Sequence, residues 1–126
     1  MINQSHRFHG HGSLHYVYQQ GKTVRGPLIA TKYVENTRRT KYRLAVVVSK
    51  KVSKSAVTRN RIRRRLYEAV RTIEEPIASP YDMVMTVFHD KLADIPSDEL
   101  QRMVRAQLRQ AKIIKKPDPL VPVRDK

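Results

Sequence analysis

Residues 50–71 constrain the fold most strongly, because an apolar pattern of helical period and a dense set of cations share this segment. The apolar positions recur at offsets of 4, 7, 8 and 11 residues, which is the spacing of one helical face: Ile62, Leu66, Ala69, Val70 and Ile73. This spacing predicts a helix from about Arg59 to Ile73 whose apolar face packs against a core.

The same segment contains nine Lys and Arg residues and one acid, Glu68, so internal ion pairs cannot balance its charge. If the apolar stripe faces the core, we expect the arginines to point toward solvent. Guanidinium groups bind phosphate through two parallel hydrogen bonds, and the start of a helix adds free N–H donors. The pattern therefore predicts a binding surface for a polyanion. The alternatives are a merely solvated helix face and a helix that lies on a membrane surface.

The overall composition supports a nucleic-acid partner. The 126 residues include 26 Lys and Arg against 11 Asp and Glu, giving a formal net charge of +15, and the length fits one domain. There is no cysteine, which excludes disulfides and thiolate metal sites. No apolar run approaches the roughly 20 residues of a membrane span, and the N-terminus lacks a secretory signal. We expect a soluble cytoplasmic protein with no membrane partner.

The remaining pattern predicts helices packed against one small sheet, which is an α+β fold. We expect a first helix from Leu14 to Gln20, capped by Ser13 and ended by Gly21 in a left-handed conformation. Predicted strands cover residues 27–34, 42–49 and 81–88, and the second of these has a continuous apolar run typical of a buried strand. Ser97 is the expected cap of a last long helix.

We divide the chain into three parts. Residues 1–12 are predicted to be a flexible N-terminal segment, because they are polar and contain Gly10 and Gly12. Residues 13–112 are predicted to form an RNA-binding α+β domain. Residues 113–126 are predicted to be a flexible C-terminal tail, because Pro117, Pro119 and Pro122 prevent regular structure there.

The stretch from Ser49 to Leu66, SKKVSKSAVTRNRIRRRL, resembles the signature of the bacterial ribonuclease P protein family. That signature runs from a strand ending in Ser-Lys-Lys, through Ala-Val, into a helix that begins with Arg-Asn-Arg. The similarity extends over roughly residues 7 to 111 and includes Gly21, Arg43 and Asp82. A single Arg-Asn-Arg triplet is weak evidence, but the order and spacing of the whole set are specific.

The resemblance implies a fold and an activity. The fold is a single α-β-β-β-α-β-α domain with one small mixed sheet and an unusual left-handed βαβ crossover, whereas right-handed crossovers are the strong default. The activity is removal of the 5′ leader from precursor tRNA by a ribonucleoprotein endoribonuclease. Its catalyst is an RNA that uses magnesium ions, so the protein is expected to supply no catalytic residue and to bind no cofactor itself.

The resemblance also implies two RNA-binding surfaces and two partners, ribonuclease P RNA and precursor tRNA, with no DNA. The residues expected to contact the catalytic RNA are Lys50, Lys51, Lys54, Arg59, Asn60, Arg61, Arg63, Arg64 and Arg65. The residues expected to line a cleft for the single-stranded leader are Leu14, Tyr18, Lys32 and Val46. Tyr18 is either a stacking platform for bases or a buried core residue.

This chain departs from the family pattern at several positions. Leu14 stands where the family usually has Phe, which removes one stacking partner. Phe88 and His89 occur where an Arg is common, so a phosphate contact there is either missing or supplied by His89.

Other interpretations of the sequence, including a metal site and a protein with a different function, have less support. The N-terminal histidines lack a neighbouring carboxylate or cysteine, so a metal site is a weak prediction for His6, His9, His11 and His15. The acidic residues near Asp90 and Asp98 do not form a recognisable magnesium-binding set. A basic ribosomal or RNA-chaperone protein with no catalytic partner, and a nuclease that acts without RNA, are the alternatives.

Overall fold

A computed structural model describes residues 11–36, 41–73, 77 and 80–114 of the chain. The described elements follow in this order: α1 (His11–Gln20), β1 (Lys22–Arg25), β2 (Ile29–Glu35), β3 (Arg43–Val47), α2 (Ala56–Arg71), β4 (Tyr81–Val87), a 3-10 helix (Asp90–Ala93) and α3 (Ser97–Gln110). The predicted α-β-β-β-α-β-α order is therefore confirmed. None of the described helices is long and apolar enough to cross a membrane.

The four described strands form one mixed sheet with the spatial order β1-β2-β4-β3. The strand β2 pairs antiparallel with both β1 and β4, whereas β3 pairs parallel with β4. Because parallel neighbours need a crossover connection, α2 links β3 to β4 across one face of the sheet. The left hand of this crossover stays a prediction.

The two faces of the sheet are covered very differently. Helices α2 and α3 pack on one face, here called the covered face, where Leu44, Met83 and Met85 are fully buried. Helix α1 packs on the opposite face, here called the open face, through Val17, which contacts Ala45 and Val84. Successive residues of a strand point to opposite faces, so neighbours on β3 and β4 belong to different layers.

A buried polar contact fixes α3 against the sheet. The Thr31 hydroxyl donates to Gln107 Oε1 at 2.7 Å, and Gln107 Nε2 donates to the carbonyl of Ile29 at 2.6 Å. Gly26 lies directly beneath this amide, because a Cβ atom at Gly26 would be 2.8 Å from Gln107 Nε2. The turn between β1 and β2 is therefore packed closely against α3.

The N-terminal part of the fold differs from the prediction in two ways. Helix α1 begins at His11, so Ser13 lies inside the helix and is not its cap. Gly21 ends α1 as predicted, but without the expected left-handed conformation. Its small size matters instead, because a Cβ atom there would lie 2.5 Å from the Val17 carbonyl oxygen and 2.9 Å from that of Tyr33.

The C-terminal part differs as well. Helix α3 starts at Ser97, but Pro96 occupies the cap position and no side chain caps the helix, so the expected Ser97 cap is wrong. Ile113 and Ile114 are buried, and Ile114 forms a bridge with Ile77. Buried residues thus occur up to two positions beyond the predicted domain boundary at residue 112. Of the two segments predicted to be flexible, 1–12 and 113–126, the structure places His11 and Gly12 in α1 and buries Ile113 and Ile114, whereas residues 1–10 and 115–126 fall outside the described residues.

Candidate nucleic-acid interface

The nine residues predicted to contact the catalytic RNA lie together at the start of α2 and in the loop before it, and are called the cationic surface here. Helix α2 begins at Ala56, three residues before the predicted Arg59, because Ser55 caps it by accepting from the Thr58 amide at 3.2 Å. The exposed members of the cationic surface are Lys50, Lys51, Lys54, Asn60, Arg61 and Arg64. The half-buried members are Arg59, Arg63 and Arg65.

Two arginines of the cationic surface make local contacts that hold it in shape. One terminal nitrogen of Arg59 donates to the carbonyls of Ser53 and Lys54, at 2.9 and 3.1 Å. Arg63 donates to the Asn60 side chain one turn earlier. The loop and the first turns of α2 are therefore connected by charged donors, which preorganises the positive charge.

Two further arginines bind the 3-10 helix and the turn after it. Arg61 Nε donates to the Ala93 carbonyl at 2.7 Å, and Arg65 donates to the carbonyls of Leu92, at 2.6 Å, and Ile95. Burial lowers the pKa of Arg65, and the nearby charge of Arg61 lowers it further. The prediction that all these arginines point to solvent is therefore wrong for Arg65 and incomplete for Arg61. Apolar periodicity gave no sign of the carbonyls that face this side of α2.

Among the described residues, no ion pair joins an acid to the cationic surface, although the charge of Asp94 opposes the lowering of the pKa of Arg65. The arginine ion pairs among these residues join Arg43 to Asp82 and Arg71 to Glu68, and neither includes a residue of the cationic surface. The Arg71 hydrogen bond lowers the pKa of Glu68, which ties up the one acid of residues 50–71. The surface thus keeps its charge for an external anion.

The open face carries the other predicted surface. The side chain of Tyr18 is 44% exposed, which contradicts the alternative that it fills the core. The Lys32 ammonium lies 6.0 Å from the centroid of the Tyr18 ring, so β2 and α1 together present a cation beside an aromatic ring. Leu14 lies on the same helix, but its side chain is outside the described part of the structure.

Val46 does not belong to the open face, and its predicted place in the leader cleft is wrong. It is 7% exposed and lies in the core beneath α2 and α3. Its neighbours Ala45 and Val47 point to the open face instead, because side chains alternate along β3. Because β3 is apolar at consecutive positions, its sequence does not show which side chains point to the covered face and which to the open face.

Sequence reasoning missed two contacts that shape the open face. Arg43 forms a two-pronged ion pair with Asp82, at 2.8 and 2.7 Å, and Asn36 donates to the same carboxylate at 2.9 Å. The hydrogen bond to Asp82 raises the pKa of Arg43. The family resemblance includes both Arg43 and Asp82, but nothing in the sequence shows that they pair.

The second missed contact joins Arg25 and Phe88. The guanidinium carbon of Arg25 lies 4.8 Å from the centroid of the Phe88 ring, at the end of β4. The only sequence signal was that Phe88 stands where the family commonly has an arginine.

The histidines and acids form no metal cluster in the part of the chain that the structure describes. The ring nitrogen Nδ1 of His89 accepts from the Lys91 amide at 3.0 Å and so helps to start the 3-10 helix. His15 is exposed, whereas His6 and His9 fall outside the described residues. We therefore assign no magnesium ligand among the residues that the structure describes.

Comparisons with known proteins agree with this geometry. The family model described as Ribonuclease P matches residues 2–112. The ribonuclease P protein component of Chloroflexus aurantiacus is 40% identical over 101 residues, which covers 80% of this chain and 73% of the relative. That of Roseiflexus castenholzii is 36% identical over 98 residues, covering 78% and 79%.

Solved structures give the same fold. A structure of the Staphylococcus aureus RNase P protein has a TM-score of 0.76 at 23% identity, covering 87% of this chain and 98% of that one. The RNase P protein from Thermotoga maritima has a TM-score of 0.67 at 18% identity, covering 76% and 89%. At these identities, the similarity shows the architecture alone.

Proposed function

Because the chain belongs to the ribonuclease P protein family, and is thus the protein subunit of that enzyme, we propose that it binds the catalytic RNA through the cationic surface and the 5′ leader of precursor tRNA through the open face. The observation that carries this proposal is the set of exposed cations at the start of α2 and in the loop before it, which no described ion pair joins to an acid. Such a rigid, positive surface suits a folded RNA, where phosphates of several strands lie close together.

Within the cationic surface, we assign two different roles. Exposed side chains such as Lys50, Lys54 and Arg64 bind phosphates directly. Arg61 and Arg65 act mainly as positioning residues, because their guanidinium groups bind carbonyls of the 3-10 helix and the turn that follows it. Arg61 keeps its terminal nitrogens for RNA, since its Nε alone makes the described bond.

The open face is suited to a single strand. Tyr18 offers an exposed ring for stacking, and Lys32 supplies a positive charge next to it. Base stacking on aromatic rings tolerates any sequence, which fits leaders that differ from one precursor to the next. The protein then favours precursor over mature tRNA, because only the precursor carries a leader.

We place the chemistry in the RNA subunit, which supplies magnesium-dependent hydrolysis of the phosphodiester bond. The described residues provide binding and orientation: cations reduce repulsion between phosphates, and the two surfaces align the leader with the RNA. The expected location is the cytoplasm, where tRNA precursors are processed.

A reconstitution tests this function. The chain is mixed with a ribonuclease P RNA and a precursor tRNA at a magnesium concentration too low for the RNA alone. We expect cleavage at the 5′ end of the tRNA only when protein and RNA are both present. Raising the salt concentration should weaken assembly steeply, because phosphate contacts release counterions.

The same experiment separates the alternatives. Cleavage by the protein without RNA would support a nuclease that acts alone. Binding of RNA without stimulation of cleavage would support a ribosomal or RNA-chaperone protein. The Arg64→Glu variant reverses one charge of the cationic surface. Its matched control is Arg102→Glu, which reverses an exposed charge on α3. Only the Arg64→Glu variant should impair assembly.

A further inference from the structure

We propose that Arg25 and Phe88 form a binding platform for one nucleotide of a single-stranded RNA, at the end of the open face away from Tyr18. One base stacks against the Phe88–Arg25 pair, and the guanidinium is also available to a neighbouring phosphate. The inference rests on the proposed function, because the strand is the 5′ leader of the precursor.

The exposure of these two side chains is the first argument. Phe88 is 37% exposed, although Val87, immediately before it, is only 3% exposed. Arg25 is exposed as well, and its guanidinium carbon is 4.8 Å from the ring centroid. Aromatic rings and guanidinium planes are the side-chain groups on which unpaired bases stack in RNA-binding proteins.

The backbone on both sides of the platform is held by hydrogen bonds and strand pairing. The Phe88 amide donates to the Leu28 carbonyl at 2.8 Å, and the Gly26 amide donates to the Ile29 carbonyl at 2.9 Å. Arg25 is paired with Ala30 across the β1–β2 ladder. Because both side chains start from ordered backbone, little conformational entropy is lost when a base binds.

The position of the platform is the third argument. Arg25 pairs with Ala30, two residues before Lys32 on β2, and so points to the same face as Lys32. Phe88 lies one residue beyond the pair formed by Val87 and Ile29. Lys32 and Phe88 are thus separated by about four strand positions, or roughly 13 Å along the sheet.

Half-buried residues of the open face, including Val47 and Thr86, lie in the space between Tyr18 and Phe88. A cation next to an aromatic ring therefore stands at each end of this space: Lys32 with Tyr18, and Arg25 with Phe88. An extended strand that crosses the sheet meets both pairs.

The test uses the reconstituted holoenzyme and precursor tRNAs that carry 2-aminopurine at successive leader positions. In the unmodified protein, fluorescence should be quenched by stacking at one position near Phe88. We expect Phe88→Ala to abolish this quenching and to lower affinity for the precursor about tenfold, which lies within the usual range for one stacked base. Affinity for mature tRNA should not change.

Variants of Arg25 separate stacking from charge. Arg25→Lys keeps the charge but loses the planar group, so it should lose the quenching and part of the affinity, whereas Arg25→Gln should lose more of the affinity. Matched controls are Tyr16→Ala, which removes an exposed ring from α1, and Arg102→Gln, which removes one charge from α3. Both controls should keep the preference for precursor, and thermal unfolding checks that every variant is folded.

Two results would overturn the inference. One is an unchanged affinity for precursor tRNA in both Phe88→Ala and Arg25→Gln. The other is an equal loss for both RNAs, which would place Arg25 and Phe88 on the catalytic RNA. If the unmodified holoenzyme shows no preference for leader-bearing RNA, then the proposed leader function itself fails, and the platform fails with it.

Discussion

The two faces of one sheet serve different purposes in this protein. On the covered face, Leu44 and Met85 are completely buried beneath two helices, and this layer supplies most of the apolar stabilisation. On the open face, α1 buries Val17 against the sheet but leaves Val47 and Thr86 only half-buried. A four-stranded sheet can therefore be stabilised mainly by the helices on one face, while its other face stays accessible to a ligand.

The largest expected effect on stability comes from a buried ion pair that lies on the open face, between Asp82 and Arg43. Asp82 is 2% exposed and holds Arg43 at the edge of the open face. Asp82→Ala removes the carboxylate that accepts two hydrogen bonds from Arg43 and one from Asn36, and we expect a loss of about 3–5 kcal/mol in the free energy of unfolding. Urea denaturation measures this loss. The double variant Arg43→Met, Asp82→Leu should recover much of the stability, and a failure to recover would show that Asn36 or the backbone needs the carboxylate.

A pair of variants on β3 compares the faces directly. Leu44→Ala on the covered face should cost about 2–5 kcal/mol, because it leaves a cavity in a fully buried core. Val47→Ala on the open face should cost less than about 1 kcal/mol, because this side chain is already partly in water. Equal losses in urea denaturation would mean that the open face contributes to the core as much as the covered face does.

Neighbouring arginines of α2 sharpen the distinction between holding the fold and binding RNA. Arg65→Ala removes the donors to Leu92 and Ile95, so we expect a loss of about 1–3 kcal/mol in stability. Arg64→Ala should leave stability unchanged but reduce the slope of log affinity for the catalytic RNA against log salt by about 1. The reverse outcome, with Arg64 needed for stability, would contradict the assignment of roles.

The smallest effect is a dependence on pH that originates on the covered face. Burial raises the pKa of Tyr42, although the charge of Arg71 opposes this, and burial together with Glu35 raises the pKa of Tyr81. The unfolded chain loses these tyrosine protons at a lower pH than the folded chain does. The contribution of the two tyrosines to the free energy of unfolding is therefore fully present below about pH 10 and is lost as the pH rises through the pKa values of the folded state. Urea midpoints across this range should fall less steeply for Tyr42→Phe, and an identical slope would assign the loss to other groups.

Part of the fold and of the cationic surface can be predicted from the sequence. Helical spacing predicts α2 and its buried face, and the shortage of acids between residues 50 and 71 predicts an exposed positive surface. The resemblance supplies the element order and the short strand β1, which has too few residues for a clear pattern. These features depend on local sequence, so periodicity and motif spacing are enough to reveal them.

The rest depends on pairing between distant segments. The resemblance implies a place for Val46 in the leader cleft, and the continuous apolar run of β3 does not show which of its side chains point to the covered face. Carbonyls of the 3-10 helix bind Arg61 and Arg65, yet these partners are about thirty residues away in the chain. The pairing of Arg25 with Phe88 likewise exists only because β1 and the end of β4 meet beside β2. No local signal encodes such contacts.

Site-directed cross-linking shows which RNA lies at each surface. The chain contains no cysteine, so a single new one can be labelled selectively. A photoreactive group is attached to Lys54→Cys at the start of α2, or to Thr86→Cys on the open face, in the holoenzyme bound to precursor tRNA. The account predicts cross-links from position 54 to the catalytic RNA and from position 86 to the leader. Cross-links from both positions to the same RNA, or cross-links from position 86 that do not require a leader, would contradict it.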